Sequence, residues 1–161
     1  MNLINTQGLT QAKTIEIEKI LAQDEMSLCF LVETHLTRNS LKFDNNIKFL
    51  SQMRKLDDKK GGGLMIIWNN TRFTLEKIDT KHPDLLASSC LIGNLSFTII
   101  LVYISTNDNK RNDIIYGELN LLIEKYQHSK LVILGDFNGH IGIIGPQPIN
   151  KNCRRFNKYC R

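Results

Sequence analysis

Two residues suited to phosphate or metal chemistry follow an apolar run near the end of the chain. Residues 131–134 are four consecutive apolar residues, Gly135 follows them, and Asp136 and Asn138 come next. The run indicates a strand buried on both faces of an α/β protein, and ligands bind at the ends of such strands. A carboxylate there can orient water or hold a divalent metal, and an amide can donate to phosphate oxygen. Alternatively, Asp136 and Asn138 form a turn that caps its own backbone.

Three more polar residues lie at the ends of predicted strands. Asn5 ends a short strand at the start of the chain, and Glu33 ends the apolar run SLCFLVE at residues 27–33. A carboxylate at this position costs free energy unless it is paired or metal-bound, although it could also reach solvent from the strand end. Tyr103 lies near the end of a predicted hairpin, where it could contribute to a site or be a half-buried aromatic residue and no more.

Hydrophobic periodicity predicts the elements that would position these residues. Residues 10–23 form a predicted helix with Ile17, Ile20 and Leu21 on one face. Residues 113–126 form a second helix, whose apolar face contains Ile115, Leu119, Leu122 and Tyr126.

The remaining predicted elements are strands at residues 2–5, 27–33, 46–53, 64–68, 73–79, 85–92, 95–104 and 131–134. Gly93-Asn94 favours a two-residue hairpin connection. Gly61, Gly62 and Gly63 lead into a strand and lack the lysine of a phosphate-binding loop, so they indicate a flexible loop. A hairpin combined with strands followed by helices predicts a mixed sheet system covered by helices.

Composition predicts one soluble domain. The chain has 161 residues and 42% apolar content, enough for one core. It has no apolar run of membrane-spanning length, and MNLINTQGLT lacks the features of a signal peptide. The four cysteines form no C-x-x-C pair, which favours reduced intracellular thiols over disulfides or zinc binding. Nothing in the sequence indicates an obligatory protein partner.

The basic charge lies in the last eleven residues, KNCRRFNKYCR. They contain five basic residues and no acid, and residues 1–150 contain 16 basic and 16 acidic groups. Such a segment could contact the phosphates of a nucleic acid through Arg154, Arg155 and Lys158, or it could be a solvated helix face.

Taken together, these sequence pieces resemble the endonuclease/exonuclease/phosphatase superfamily, and in particular the apurinic-type endonuclease domain at the start of LINE-type non-LTR retrotransposon polyproteins. The pieces are INTQGL around Asn5, LVETHL around Glu33, GGGLMIIW from Gly61, ILVYIS around Tyr103 and ILGDFNGHIG around Asp136. The resemblance implies an α/β fold, a two-sheet sandwich with outer helices and a site at one edge. It implies a DNA-nicking phosphodiesterase, intracellular and, if a retrotransposon product, nuclear.

The resemblance also implies a role for each matched residue. Glu33 would be the main ligand of Mg²⁺, or of Mn²⁺ in its place, with Asn5 beside it. Tyr103 would contact the scissile phosphate of DNA. Asp136 would orient or deprotonate the attacking water, and Asn138 would position Asp136 and the phosphate. His35 and His140 belong to the matched motifs, and we expect both to brace their loops, since a histidine needs a partner to act as acid or base.

Members of this family continue through further strands to a serine followed by an Asp-His pair, which this sequence lacks. We therefore expect residues 1–161 to be a single domain that is incomplete at the C-terminus, with its final strands missing, and inactive as it stands. Two other functions stay open: a phosphoesterase of the same superfamily acting on an inositol phosphate or a lipid head group, and a non-catalytic remnant that binds nucleic acid through its tail.

Overall fold

The computed structural model of the protein describes residues 1–23, 28–38, 41–54, 62–106 and 108–138. Its elements are, in order, β1 (Asn2–Asn5), α1 (Gln11–Gln23), β2 (Leu28–Val32), β3 (Ile47–Gln52), β4 (Leu64–Asn69), β5 (Thr74–Ile78), β6 (Leu85–Ile92), β7 (Leu95–Tyr103), α2 (Asn109–Tyr126) and β8 (Lys130–Asp136). Each strand and helix predicted above is present, with boundaries shifted by a few residues. The largest shift is at α2, which begins at Asn109 because the Asp108 side chain caps it by accepting from the Arg111 backbone N.

The strands form two four-stranded sheets, each with one parallel pair at its edge. In the first sheet the order is β1-β2-β4-β3, and β1 and β2 are parallel. In the second sheet the order is β5-β6-β7-β8, and β7 and β8 are parallel. The other neighbours in both sheets are antiparallel. The predicted mixed α/β sandwich is therefore confirmed.

Three groups of apolar side chains hold the layers together. Phe30 and Ile66 of the first sheet pack against Leu86 and Leu101 of the second sheet in the core between them. The outer face of the first sheet packs against α1, through residues such as Leu21. The outer face of the second sheet packs against α2, through Ile115, Leu119 and Leu122. The molecule is thus layered as helix, sheet, sheet and helix.

Two predictions about burial are wrong. Residues 131–134 in β8 are half-buried, because β8 is an edge strand that pairs only with β7 within the described part of the chain. Ile20 is 36% exposed, because it lies about a quarter-turn away from the stripe of Thr14, Ile17 and Leu21 by which α1 packs on the sheet.

Two of the four cysteines lie in strands of the described part of the chain, Cys29 in β2 and Cys90 in β6. Cys29 and Cys90 are buried and unpaired. Burial raises the pKa of the Cys90 thiol to about 11, so this thiol stays protonated at neutral pH. Cys153 and Cys160 lie outside the described residues. Neither α1 nor α2 is long and apolar enough to cross a membrane.

Candidate active site

The site lies where the carboxyl ends of both parallel strand pairs meet. In the first sheet Asn5 is in register with Val32, so it lies beside Glu33, the next residue of the chain. In the second sheet Tyr103 is in register with Asp136. The strand ends therefore bring together residues that are up to 131 positions apart in the sequence.

Two side-chain hydrogen bonds join the sheets at this edge. The Tyr103 hydroxyl donates to Glu33 Oε1 at 2.8 Å. Asn5 Nδ2 donates to Asp136 Oδ2 at 3.4 Å, which is long for a hydrogen bond. Each bond runs from one sheet to the other, so both carboxylates contact polar groups across the sandwich. The structure thus brings four of the five predicted site residues into direct contact in pairs.

Asn138, the fifth residue, holds the turn that follows β8. Its backbone N donates to Asp136 Oδ1 at 2.9 Å, and its Nδ2 donates to the Ile104 carbonyl at 2.7 Å. Asn138 has a φ of 44°, in the left-handed region that asparagine tolerates better than most residues. The turn interpretation of Asp136 and Asn138 therefore describes the backbone correctly, and the same turn directs Asp136 toward Asn5.

Glu33 lies in a backbone conformation that its surroundings impose. Its φ is 54°, which is unfavourable for glutamate. The Thr6 hydroxyl lies 3.1 Å from the Val32 carbonyl and 2.9 Å from the Glu33 carbonyl, and the Gly8 backbone N donates to the Glu33 carbonyl at 2.8 Å. The segment between β1 and α1 thus holds Glu33 at the end of β2.

Tyr103 is a hydrogen-bond donor at this site rather than a base. Burial, its hydrogen bond to Glu33 and the nearby charges of Glu33, Asp136 and Asp84 all raise the pKa of the phenol well above its ordinary value. The phenol therefore keeps its proton at neutral pH and can donate a hydrogen bond to an acceptor.

The oxygen atoms at this edge suit a hard divalent cation. Tyr103 occupies Glu33 Oε1, and Oε2 has no hydrogen-bond partner among the described residues. Asn5 Oδ1 accepts from the Gln7 backbone N at 3.1 Å and has a second lone pair. No three His, Cys, Asp or Glu side chains of the described residues group to hold a metal. A cation here would thus have few protein ligands and several waters, as Mg²⁺ prefers.

The sequence analysis assigned no role to several residues that build this edge. Thr6, Gln7 and Asp84 are examples. Of these, only Asp84 had a signal in the sequence, because it is a charged residue directly before an apolar run. Asp84 is fully buried and its side chain accepts from Arg111. His35, which we expected to brace its loop, donates from its backbone N to the Gly62 carbonyl. The predicted residues His140, Arg154, Arg155 and Lys158 lie outside the described residues.

Two facing mixed sheets with an outer helix on each side form the endonuclease/exonuclease/phosphatase fold. Over 97% of its length, the chain superposes on the endonuclease domain of TRAS1, a telomere-specific non-LTR retrotransposon, with 12% identity and a TM-score of 0.71. It also matches an endonuclease/exonuclease/phosphatase family protein from Bacteroides thetaiotaomicron over 98% of the chain, at 13% identity and a TM-score of 0.63. The predicted resemblance is confirmed at the level of the fold.

A third similar structure is the 3′ phosphatase NExo from Neisseria, bound to a product DNA hairpin. The chain matches it over 84% of its length at 16% identity and a TM-score of 0.56. The chain spans 66% of the TRAS1 domain, 65% of the Bacteroides protein and 56% of NExo. In sequence, no known family model and no curated protein matches the chain.

Proposed function

We propose that this chain is part of a divalent-metal-dependent phosphodiesterase that nicks DNA, of retrotransposon origin. The observation that carries the proposal is the pair of hydrogen bonds between the sheets, Tyr103 to Glu33 and Asn5 to Asp136. They hold two carboxylates, an amide and a neutral phenol at one edge. These groups can supply much of what phosphodiester hydrolysis by water needs, an oriented nucleophile and stabilisation of the charge on phosphate.

The structural neighbours support a nucleic-acid substrate. The TRAS1 protein is an endonuclease domain of a non-LTR retrotransposon, and NExo was solved with DNA. NExo is also a 3′ phosphatase, which supports a second candidate function, release of phosphate from a phosphomonoester. A phosphate-release assay run beside the nicking assay below separates the two functions.

Each residue has a distinct part in the proposed reaction. Glu33 Oε2 and Asn5 Oδ1 would hold Mg²⁺ or Mn²⁺, and the bound cation would neutralise charge on the phosphate. Asp136 would accept a proton from the attacking water, and Asn138 would keep Asp136 oriented through its backbone N. Tyr103 would donate a hydrogen bond from its hydroxyl to a phosphate oxygen. A phenol has one proton, so this contact would replace the one to Glu33.

Metal binding can be tested on residues 1–161 without any cleavage. We expect Mn²⁺ to bind, as followed by electron paramagnetic resonance. Glu33→Gln should weaken binding at least about 10-fold, since a charged oxygen ligand is lost. Glu124→Gln removes a carboxylate from the exposed face of α2 and serves as the matched control. Equal Mn²⁺ affinity in both variants would rule out Glu33 as a ligand.

Cleavage requires a longer protein in this proposal, because the chain spans 66% of the TRAS1 domain. We expect residues 1–161 alone to leave supercoiled plasmid intact with Mg²⁺. Joining a C-terminal segment like that of the family should restore nicking. In the joined protein Asp136→Asn should slow nicking about 100- to 1,000-fold, which is the usual cost of losing one group that acts in the transition state. DNA binding should not weaken.

Asp79→Asn, at an exposed position after β5, is the control for this substitution. Nicking at the parent rate by Asp136→Asn would show that Asp136 has no part in the chemistry. Salt-sensitive DNA binding by the joined protein, with neither nicking nor phosphate release, would instead indicate a non-catalytic remnant.

A further inference from the structure

Asp84, the residue before β6, is a fully buried acid directly behind the site. Its side chain is 0% exposed, and Oδ2 accepts from Arg111 Nε at 2.6 Å. Its backbone carbonyl accepts from the backbone N of Tyr103 at 3.0 Å. The backbone of Tyr103 is therefore hydrogen-bonded to Asp84, whose side chain is ion-paired with Arg111.

The same acid also packs against Gly62, whose segment is hydrogen-bonded to the residues that follow Glu33. Asp84 Oδ1 lies 3.2 Å from the position that a Cβ on Gly62 would take. The carbonyl of Gly62 accepts from the His35 backbone N, and the carbonyl of Gly63 accepts from the Thr34 backbone N, both at 3.1 Å. Asp84 is thus bonded directly to the backbone of Tyr103, and it reaches Glu33 indirectly, through the glycine segment that bonds to the two residues after Glu33.

Arg111 forms an ion pair with Asp84 at this place. A carboxylate buried completely is costly unless it is paired, so this ion pair restricts where Asp84 can lie. His82 is also near, with Nδ1 3.8 Å from Asp84 Oδ2, but this nitrogen accepts from the Asp84 backbone N. The Arg111 guanidinium, at 2.6 Å, is much closer to Asp84 Oδ2 than the imidazole is.

We propose that Asp84 and Arg111 are positioning residues that set the geometry of the Tyr103 to Glu33 hydrogen bond between the two sheets. The pair connects α2 to both sheets at one point, so displacing Asp84 shifts the phenol and its acceptor relative to each other. The effect on metal binding and cleavage rests on the proposed function, whereas the effect on the hydrogen bond does not.

The hydrogen bond itself can be observed by fluorine NMR of the chain labelled with 3-fluorotyrosine. Loss of one signal in Tyr103→Phe identifies the Tyr103 resonance, and Glu33→Ala shows where it lies without its acceptor. We expect Arg111→Met to move the signal toward the Glu33→Ala position. Arg111→Lys keeps a cation that can pair with Asp84, so its signal should stay nearer that of the parent.

Arg72→Met makes the same chemical change at an exposed position between β4 and β5 and should leave the signal in place. Unchanged resonances of Tyr116 and Tyr126 on α2 show that a variant is folded. A Tyr103 signal at the parent position in folded Arg111→Met would overturn the proposal. If Arg111→Met does not fold, Arg111→Lys provides the test. Lysine is shorter and has a single donor group, so the Tyr103 signal should still move measurably from the parent position.

A double-mutant cycle on Mn²⁺ affinity separates positioning from general stabilisation. Arg111→Met should weaken Mn²⁺ binding by about 10-fold in the parent, as loss of a residue that orients a ligand does. In the Tyr103→Phe background, where the hydrogen bond is already absent, the loss should be less than about 2-fold. Equal losses in both backgrounds would contradict positioning through Tyr103. Absence of Mn²⁺ binding by the parent would refute the proposed metal site, and the fluorine signal would then decide positioning alone.

Discussion

The parallel pair of the first sheet, β1 and β2, and that of the second sheet, β7 and β8, both end at the site, but the strands are buried differently. All five residues of β2 are buried, because β1 and β4 flank it and α1 covers its outer face. In β8 no residue is fully buried, and β7 is its one partner among the described strands. The two carboxylates of the site therefore follow strands with unequal support.

This difference predicts that Glu33 and Asp136 are held by different forces. Glu33 follows a strand fixed by close packing, and packed interiors resist displacement. Asp136 relies more on polar contacts, which come from Asn5, the Asn138 backbone N and the Ile104 backbone N. We therefore expect the first sheet to determine stability and the polar turn after β8 to determine the local geometry of Asp136.

Removing side-chain volume from each sheet tests this comparison most directly. Phe30→Ala in the centre of β2 should cost about 3–5 kcal/mol of unfolding free energy, because the side chain is fully buried and leaves a cavity. Leu134→Ala in β8 should cost no more than about 2 kcal/mol, because its side chain is only partly buried. Urea unfolding monitored by circular dichroism measures both, and equal losses would show that the two strands are equally supported.

A methyl group added at Gly135 tests the contact between β7 and β8. Its φ is 150°, and a Cβ there would overlap the carbonyl of Val102 on β7. We expect Gly135→Ala to destabilise the protein by about 3 kcal/mol, since backbone must move to relieve the overlap. Gly93→Ala in the β6–β7 turn is the matched control, with positive φ and open space around it, and should cost about 1 kcal/mol. A smaller loss for Gly135→Ala than for Gly93→Ala would show that β8 shifts freely against β7.

The smallest expected effect concerns the hydrogen bond between the sheets at alkaline pH. The pKa of Tyr103 is raised in the folded state above its ordinary value of 10.0, so above pH 10 the unfolded chain loses the proton first. Stability therefore falls as pH rises from there toward the folded pKa. Between pH 10 and pH 11, the unfolding free energy of Tyr103→Phe should therefore fall by about 1 kcal/mol less than that of the parent.

Denaturant unfolding at several pH values measures this slope, with Tyr126→Phe, a half-buried tyrosine on α2, as the control. The same alkaline slope in Tyr103→Phe, Tyr126→Phe and the parent would show that Tyr103 gains no protection from the site.

The sequence by itself determined where the elements lie and which polar residues end them. Apolar runs and their period depend on local residue order, so β2, β4 and the β6–β7 hairpin could be located with no knowledge of the rest. The same patterns, with the motif around Asp136, were sufficient to predict the two-sheet sandwich. They also placed Asn5, Glu33, Tyr103, Asp136 and Asn138 at strand ends.

Only the tertiary structure decided which of these residues touch and what supports them. The contact of Tyr103 with Glu33 depends on how two sheets face each other, and no local pattern encodes that distance. The burial of Asp84 beside Arg111 likewise requires α2, β6 and Gly62 to come together. The half-buried state of β8 depends on its place at a sheet edge. An apolar run indicates that a strand favours burial, but the neighbouring strands determine whether the strand is buried.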